Sequence, residues 1–168
     1  VGDYSGSHFA YSSDGINWTS NNPGSGQFAI ATDHNGKYVS CSYKNNVAYY
    51  STNGGRNWTQ ITNPTGAAWG YDIQYGNGWW VCANRGSSTV MRSQDGINWT
   101  ASTPLPSSSN WQGIDTDGKG HWVCVSRQGP VAYSTDNGAT WSSANIANST
   151  DDRHDIAYYN GRWMTVNR

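Results

Sequence analysis

"YSTDNGATW" occupies Tyr133–Trp141, and the chain writes nearly the same phrase four times. The other copies are "YSSDGINWT" from Tyr11, "YSTNGGRNWT" from Tyr50 and "RSQDGINWT" from Arg92. The Trp that closes each copy is Trp18, Trp58, Trp99 or Trp141, at spacings of 40, 41 and 42 residues. A fixed period of this length is the signature of a repeat architecture. Two further signals keep the same phase. One is an aromatic-rich strand: "GKYVSCSYK", "GNGWWVCANR", "GKGHWVCVSR" and "NGRWMTVNR". The other is an isoleucine strand: "FAIAT", "YDIQY", "QGIDT" and "HDIAY".

Each unit therefore holds four short strands, A to D. In the third unit they are expected at about 111–116 for A, 122–126 for B, 131–135 for C and from Trp141 for D. Four strands in 40 to 45 residues match one blade of a β-propeller. Composition agrees. Among 168 residues there is one Leu, Leu105, and no Glu, so long helices are not expected. Ten Trp and eleven Tyr favour strands, and twenty Gly favour turns.

The chain starts with strands C and D of one unit and stops after A and B of another. Joined end to end, they put 45 residues between Trp141 and Trp18, one ordinary repeat. The expectation is a single all-β domain over 1–168, a four-bladed β-propeller of four-stranded antiparallel blades. A split blade, with 8–13 pairing with 162–168, would close it and remove free sheet edges. The expected state is a monomer; an eight-bladed ring of two swapped chains is the alternative.

The four turns resemble the Asp-box, or BNR, repeat of sialidases and related propellers. Ser134, Asp136, Gly138, Thr140 and Trp141 fit its full pattern, and Ser51, Asn53, Gly55, Asn57 and Trp58 fit it with Asn for Asp. Asp14 with Trp18 and Asp95 with Trp99 fit a form one residue shorter. Each residue has a folding role. The Asp or Asn accepts backbone N–H bonds, Gly supplies positive φ, and Trp buries a large face. The resemblance implies that these turns lie away from any active site and are scaffold.

Sialidases of that family use a Tyr activated by Glu, an Asp acid/base and three Arg. Without Glu, this chain lacks part of that set, and no catalytic residue is assigned. Asp72, Asp115 and Asp155 stand on strand A beside the channel, where bonds to Arg or backbone N–H groups are the ordinary role. Cys41, Cys82 and Cys124 share one strand-B position, with Thr165 in the fourth unit. Equivalent positions in different blades are expected to be too far apart to bridge, so free buried thiols are predicted. No metal or cofactor pattern is present, and Asp33 and Asp117 read as turn caps. Net charge is -1, which gives no pull toward nucleic acid, and no apolar run is long enough to insert in a membrane. Four Asn-x-Thr sequons, at Asn17, Asn57, Asn98 and Asn148, say little about location because three are by-products of the turn.

Strand direction places the B–C loops and D–A connections on one face, opposite the repeated turns. That face carries the longer, varied segments, the usual place for binding. Three residues beyond the Cys/Thr position stand Lys44, Arg85, Arg127 and Arg168. Trp69, Tyr71, Trp111 and His154 are expected near them at the entry to strand A. A cation beside an aromatic ring suits sugar stacking and hydroxyl or carboxylate bonds. The expected function is non-catalytic binding, lectin-like toward glycans. The alternatives are a partner-protein scaffold, as in photosystem assembly factors of the resembling family, and a glycosidase fragment.

Overall fold

The computed structural model describes residues 8–24, 27–42, 46–64, 66, 68–107, 109–127, 129–147 and 150–167. They form sixteen strands and no helix. Strands β3 (Ala29–Thr32), β4 (Tyr38–Ser42), β5 (Val47–Ser51) and β6 (Thr59–Ile61) make one antiparallel meander. The next is β7 (Gly70–Gly76), β8 (Trp79–Ser87), β9 (Val90–Ser93) and β10 (Thr100–Ala101). The third is β11 (Ser109–Thr116), β12 (Trp122–Arg127), β13 (Val131–Ser134) and β14 (Ser142–Ser143). These are the A–D units read from the repeat. The chain is flanked by two-stranded half-blades, β1 (Phe9–Tyr11) with β2 (Thr19–Asn21), and β15 (Arg153–Tyr159) with β16 (Arg162–Asn167).

The core lies between blades. Ala31, Val39, Cys41 and Ile61 of the first blade meet Trp69, Ile73, Trp80 and Trp99 of the second. Val81 and Val90 of the second meet Trp111, Ile114, Trp122 and Trp141 of the third. Blade-on-blade packing explains the aromatic wealth: each sheet must fill a wedge on both faces. Inner strands also approach closely. Gly70 faces the β8 backbone, and a Cβ there would lie 1.8 Å from the Ala83 carbonyl oxygen.

Three expectations need correction. First, the pairing of 8–13 with 162–168 is not made among the described residues; β1–β2 and β15–β16 remain separate sheets. The β1–β2 hairpin instead sits against the first blade, where Phe9 stacks on Trp58 with centroids 4.1 Å apart. Among the described residues no strand of one terminal pair bonds to a strand of the other. Second, the isoleucine column slips in the first blade. Ile73, Ile114 and Ile156 pair with Cys82, Cys124 and Thr165, but Cys41 pairs with Ala29 and Ile30 turns outward. The inner strands of the later units carry a bulge after Gly70, Trp111 and Arg153. The first-blade ladder has a regular register, which shifts side-chain phase by one. Third, the Cys41 and Cys82 sulfurs are only 3.9 Å apart, in the core shared by the first two blades. All three Cys are buried and free, as expected.

Candidate functional site

The four repeated turns share one hydrogen-bond plan. The hydroxyls of Ser12, Ser51, Ser93 and Ser134 accept from the N–H of Gly15, Gly55, Gly96 and Gly138 at 2.9–3.0 Å. Each hydroxyl donates to Asp14, Asn53, Asp95 or Asp136 at 2.8–3.0 Å. Those side chains accept backbone N–H bonds from Asn17, Asn57, Asn98 and Thr140 at 2.7–2.9 Å. The indole N–H of Trp18, Trp58, Trp99 and Trp141 donates to the carbonyl of the turn Gly at 3.0–3.2 Å. Backbone and side-chain bonds from Asn17 hold the Asp14 carboxyl well below the usual range. Partial burial of Asp95 opposes the same effect, which its bonds from Asn98 and Ile97 outweigh. These carboxylates are engaged by their own turns.

The glycine requirement is sharpest at Gly96. Its φ is +72°, and a Cβ would lie 2.9 Å from Val39 of the preceding blade.

The inner-strand carboxylates tie blades together. Asp72 accepts from Ile73 N–H at 2.8 Å and from Ile114 N–H in the next blade at 3.0 Å. Asp115 accepts from Tyr158 N–H at 2.6 Å, and Asp155 from Ile156 N–H at 2.9 Å. Burial pushes the Asp72 carboxyl up to about 7, against the pull of those N–H bonds. The turn caps read at Asp33 and Asp117 are also present, each accepting two backbone N–H bonds.

On the opposite face the residues expected to bind divide. Lys44 and Arg168 lie outside the described residues. Trp69 and Trp111 are fully buried, which corrects their expected surface role. Trp69 packs edge-on to Trp99 at 5.3 Å and Trp111 sits in the core between the second and third blades. Trp69 stands just before β7 and Trp111 within β11, where the large rings pack between blades instead of facing solvent.

The remaining residues form two clusters. In one, the exposed Arg85 places its guanidinium carbon 5.4 Å from the half-buried Tyr71 ring centroid. Phe28 of the neighbouring blade meets Tyr71 edge-on at 6.0 Å. In the other, Arg127 Nε donates to Asp152 at 3.1 Å, and His154 Nε2 lies 3.5 Å from the other Asp152 oxygen. Beneath them the buried Arg153 donates to the carbonyls of Gly129, Asp151 and Ala147. Asp152 was missed from sequence; the adjoining acidic and basic pairs in "DDRH" were its available signal.

No family model matches the chain, and no curated protein matches it by sequence. Solved structures do. A streptogramin B lyase superposes with a TM-score of 0.80 at 16% identity, over 96% of this chain and 55% of that one. YCF48 bound to a D1 peptide gives 0.67 at 16%, over 86% and 49%. A GH74 enzyme from Niastella koreensis gives 0.56 at 19%, over 79% and 20%. The fold is that of the β-propellers, and this chain spans about half the length of the first two.

Proposed function

We propose that this chain is a non-catalytic binding module, lectin-like toward glycans, on a β-propeller scaffold of four repeats. Its repeated turns are read as Asp-boxes that serve as scaffold. The observation that carries the binding reading is the Arg85–Tyr71 pair, an exposed arginine with its guanidinium carbon beside a half-buried phenol ring. Such a pair offers planar donors for sugar hydroxyls or a carboxylate, and an aromatic surface beside them. The non-catalytic part rests on the carboxylates: Asp72, Asp115 and Asp155 accept backbone N–H bonds. Each site is shallow, so useful strength comes from several sites meeting a multivalent surface.

A second reading, recognition of a protein segment on the same face, is favoured by the likeness to a propeller solved with a bound peptide. One experiment separates them. Labelled protein is applied to a multivalent glycan array and to a peptide array, beside the Arg85→Ala and Tyr71→Ala variants. Glycan signal lost in both variants at unchanged melting temperature is the expected result. Peptide signal without glycan signal would replace the lectin reading, and signal on neither would end both.

A further inference from the structure

Cys41 and Cys82 face each other across the junction of the first two blades, and the ladders show why. In strand B, Tyr38, Trp80 and Trp122 pair with the turn serines Ser51, Ser93 and Ser134. Counted from those aromatic residues, Cys82 and Cys124 stand two places on, but Cys41 stands three on. Successive residues of a strand point to opposite faces, so Cys41 points the other way from its two counterparts. Cys82 lies in the core shared with the first blade and Cys124 in that shared with the second, each toward the blade before it. Cys41 lies toward the blade after it. At the next junction the place of Cys41 is held by Ala83, which packs in the same core as Cys124.

The local geometry suits a bond between the two sulfurs. They are 3.9 Å apart and fully buried. The Cys41 thiol donates to the Gly70 carbonyl at 3.6 Å. Gly70 also leaves room beside the other sulfur, since a Cβ there would lie 3.1 Å from Cys82 Sγ. A disulfide holds its sulfurs about 2.05 Å apart, so they must close by about 2 Å. The first and second blades are separate sheets with no ladder bond between them, which leaves side-chain rotation and a small sheet shift to supply the approach.

We propose that Cys41 and Cys82 are a latent disulfide, closed by a hydroperoxide and opened by a thiol reductant, which ties the first blade to the second. With hydrogen peroxide, one sulfur attacks: an S–O bond forms, the O–O bond breaks and one water leaves. The other sulfur then attacks the resulting sulfenic acid, forming the S–S bond and releasing a second water. The pair gives up two electrons and two protons, and the peroxide takes them up. Contact with the Cys82 sulfur and burial push the Cys41 thiol well above its ordinary value, so the closed fold holds little thiolate there. The first step is therefore slow and waits on opening of the junction. The second has its partner already in contact.

The junction so fixed carries the Arg85–Tyr71 pair. Phe28 N–H donates to the Cys41 carbonyl at 3.0 Å, Gly70 leads directly into Tyr71, and Arg85 follows Cys82 in β8. The disulfide itself does not depend on the glycan reading.

Chain length gives Cys82 no preferred partner, because Cys41 is 41 residues away and Cys124 is 42. Selective pairing would therefore come from the fold. The 168-residue chain is held with hydrogen peroxide in native buffer for a day, beside a sample unfolded in guanidinium. Remaining thiols are alkylated and tryptic peptides are read by mass spectrometry. The folded sample should lose two hydrogens and link peptide 38–44 to peptide 57–85, with Cys124 alkylated, and dithiothreitol should restore both thiols. The unfolded sample should link Cys82 to Cys41 and Cys124 alike. Cys124→Ser should keep the link and Cys41→Ser should lose it. Thiols that stay free, sulfinic acid without a link, a crosslink between chains, or the unfolded pairing mixture in the folded sample would each overturn the proposal.

Discussion

Stability should fall as pH rises from about 4.5 to 7.5, and Asp72 should be the reason. Its carboxyl sits at about 7 in the folded chain against 3.8 as an ordinary side chain, because burial disfavours the charge. A group whose folded pKa is raised contributes stability that is fully present below the unfolded value and lost through the folded one. The gap of about three units corresponds to about 4 kcal/mol, at ~1.36 kcal/mol per unit. The perturbation is Asp72→Asn, which cannot ionise and resembles the protonated acid in shape and in keeping one acceptor oxygen. At pH 4.5 the variant should lie within about 1 kcal/mol of the parent, since both then lose at most one N–H bond. At pH 7.5 it should be the more stable by up to about 4 kcal/mol. The assay is guanidinium unfolding followed by tryptophan fluorescence at five pH values, with circular dichroism as a second probe. The window stays above pH 4, where Asp14, Asp95, Asp117 and Asp136, held low in the fold, would lose their own contribution as pH falls. A flat or rising profile in the parent, or an unchanged slope in Asp72→Asn, would refute the reasoning.

Two substitutions test the scaffold. Trp99→Ala removes a ring that is 4% exposed and packed edge-on to Trp69, so unfolding free energy should drop by about 3–5 kcal/mol while binding per folded molecule is unchanged; selective loss of binding in a fully stable variant would contradict it. Gly70→Ala puts a methyl 1.8 Å from the Ala83 carbonyl oxygen, and a loss of at least about 2 kcal/mol is expected in the same assay, with a wild-type midpoint as the contrary result.

Much of this fold was legible because its information is local and repeated. The Ser, Asp, Gly and Trp of each turn bond to one another within seven or eight residues, so one reading serves four times. Trp18 shows how local the plan is. Its copy keeps every bond of the plan although the ring is largely exposed. Packing between blades was less legible. Composition predicted a rich aromatic core, but not that Trp69 and Trp111 belong to it; their place at the entry to strand A, beside the loop face, read as exposed. The slipped register at Ile30 was hidden for a related reason. A bulge changes side-chain phase without changing residue type, so "FAIAT" looks like its counterparts while facing the other way.

Repetition also sets a limit on reading function, and the cations show where it falls. Arg85 and Arg127 occupy the same position in successive blades, and sequence gives them one role. In the fold, Arg85 lies over Tyr71 and Arg127 is bonded to Asp152. The difference arises at the entry to strand A, where the least repetitive part of the chain leads into "WGYD" at one site and "DDRHD" at the other. A repeat unit fixes where a side chain emerges, but not what it meets: Arg85 meets Tyr71 of its own blade, and Arg127 meets Asp152 of the next unit.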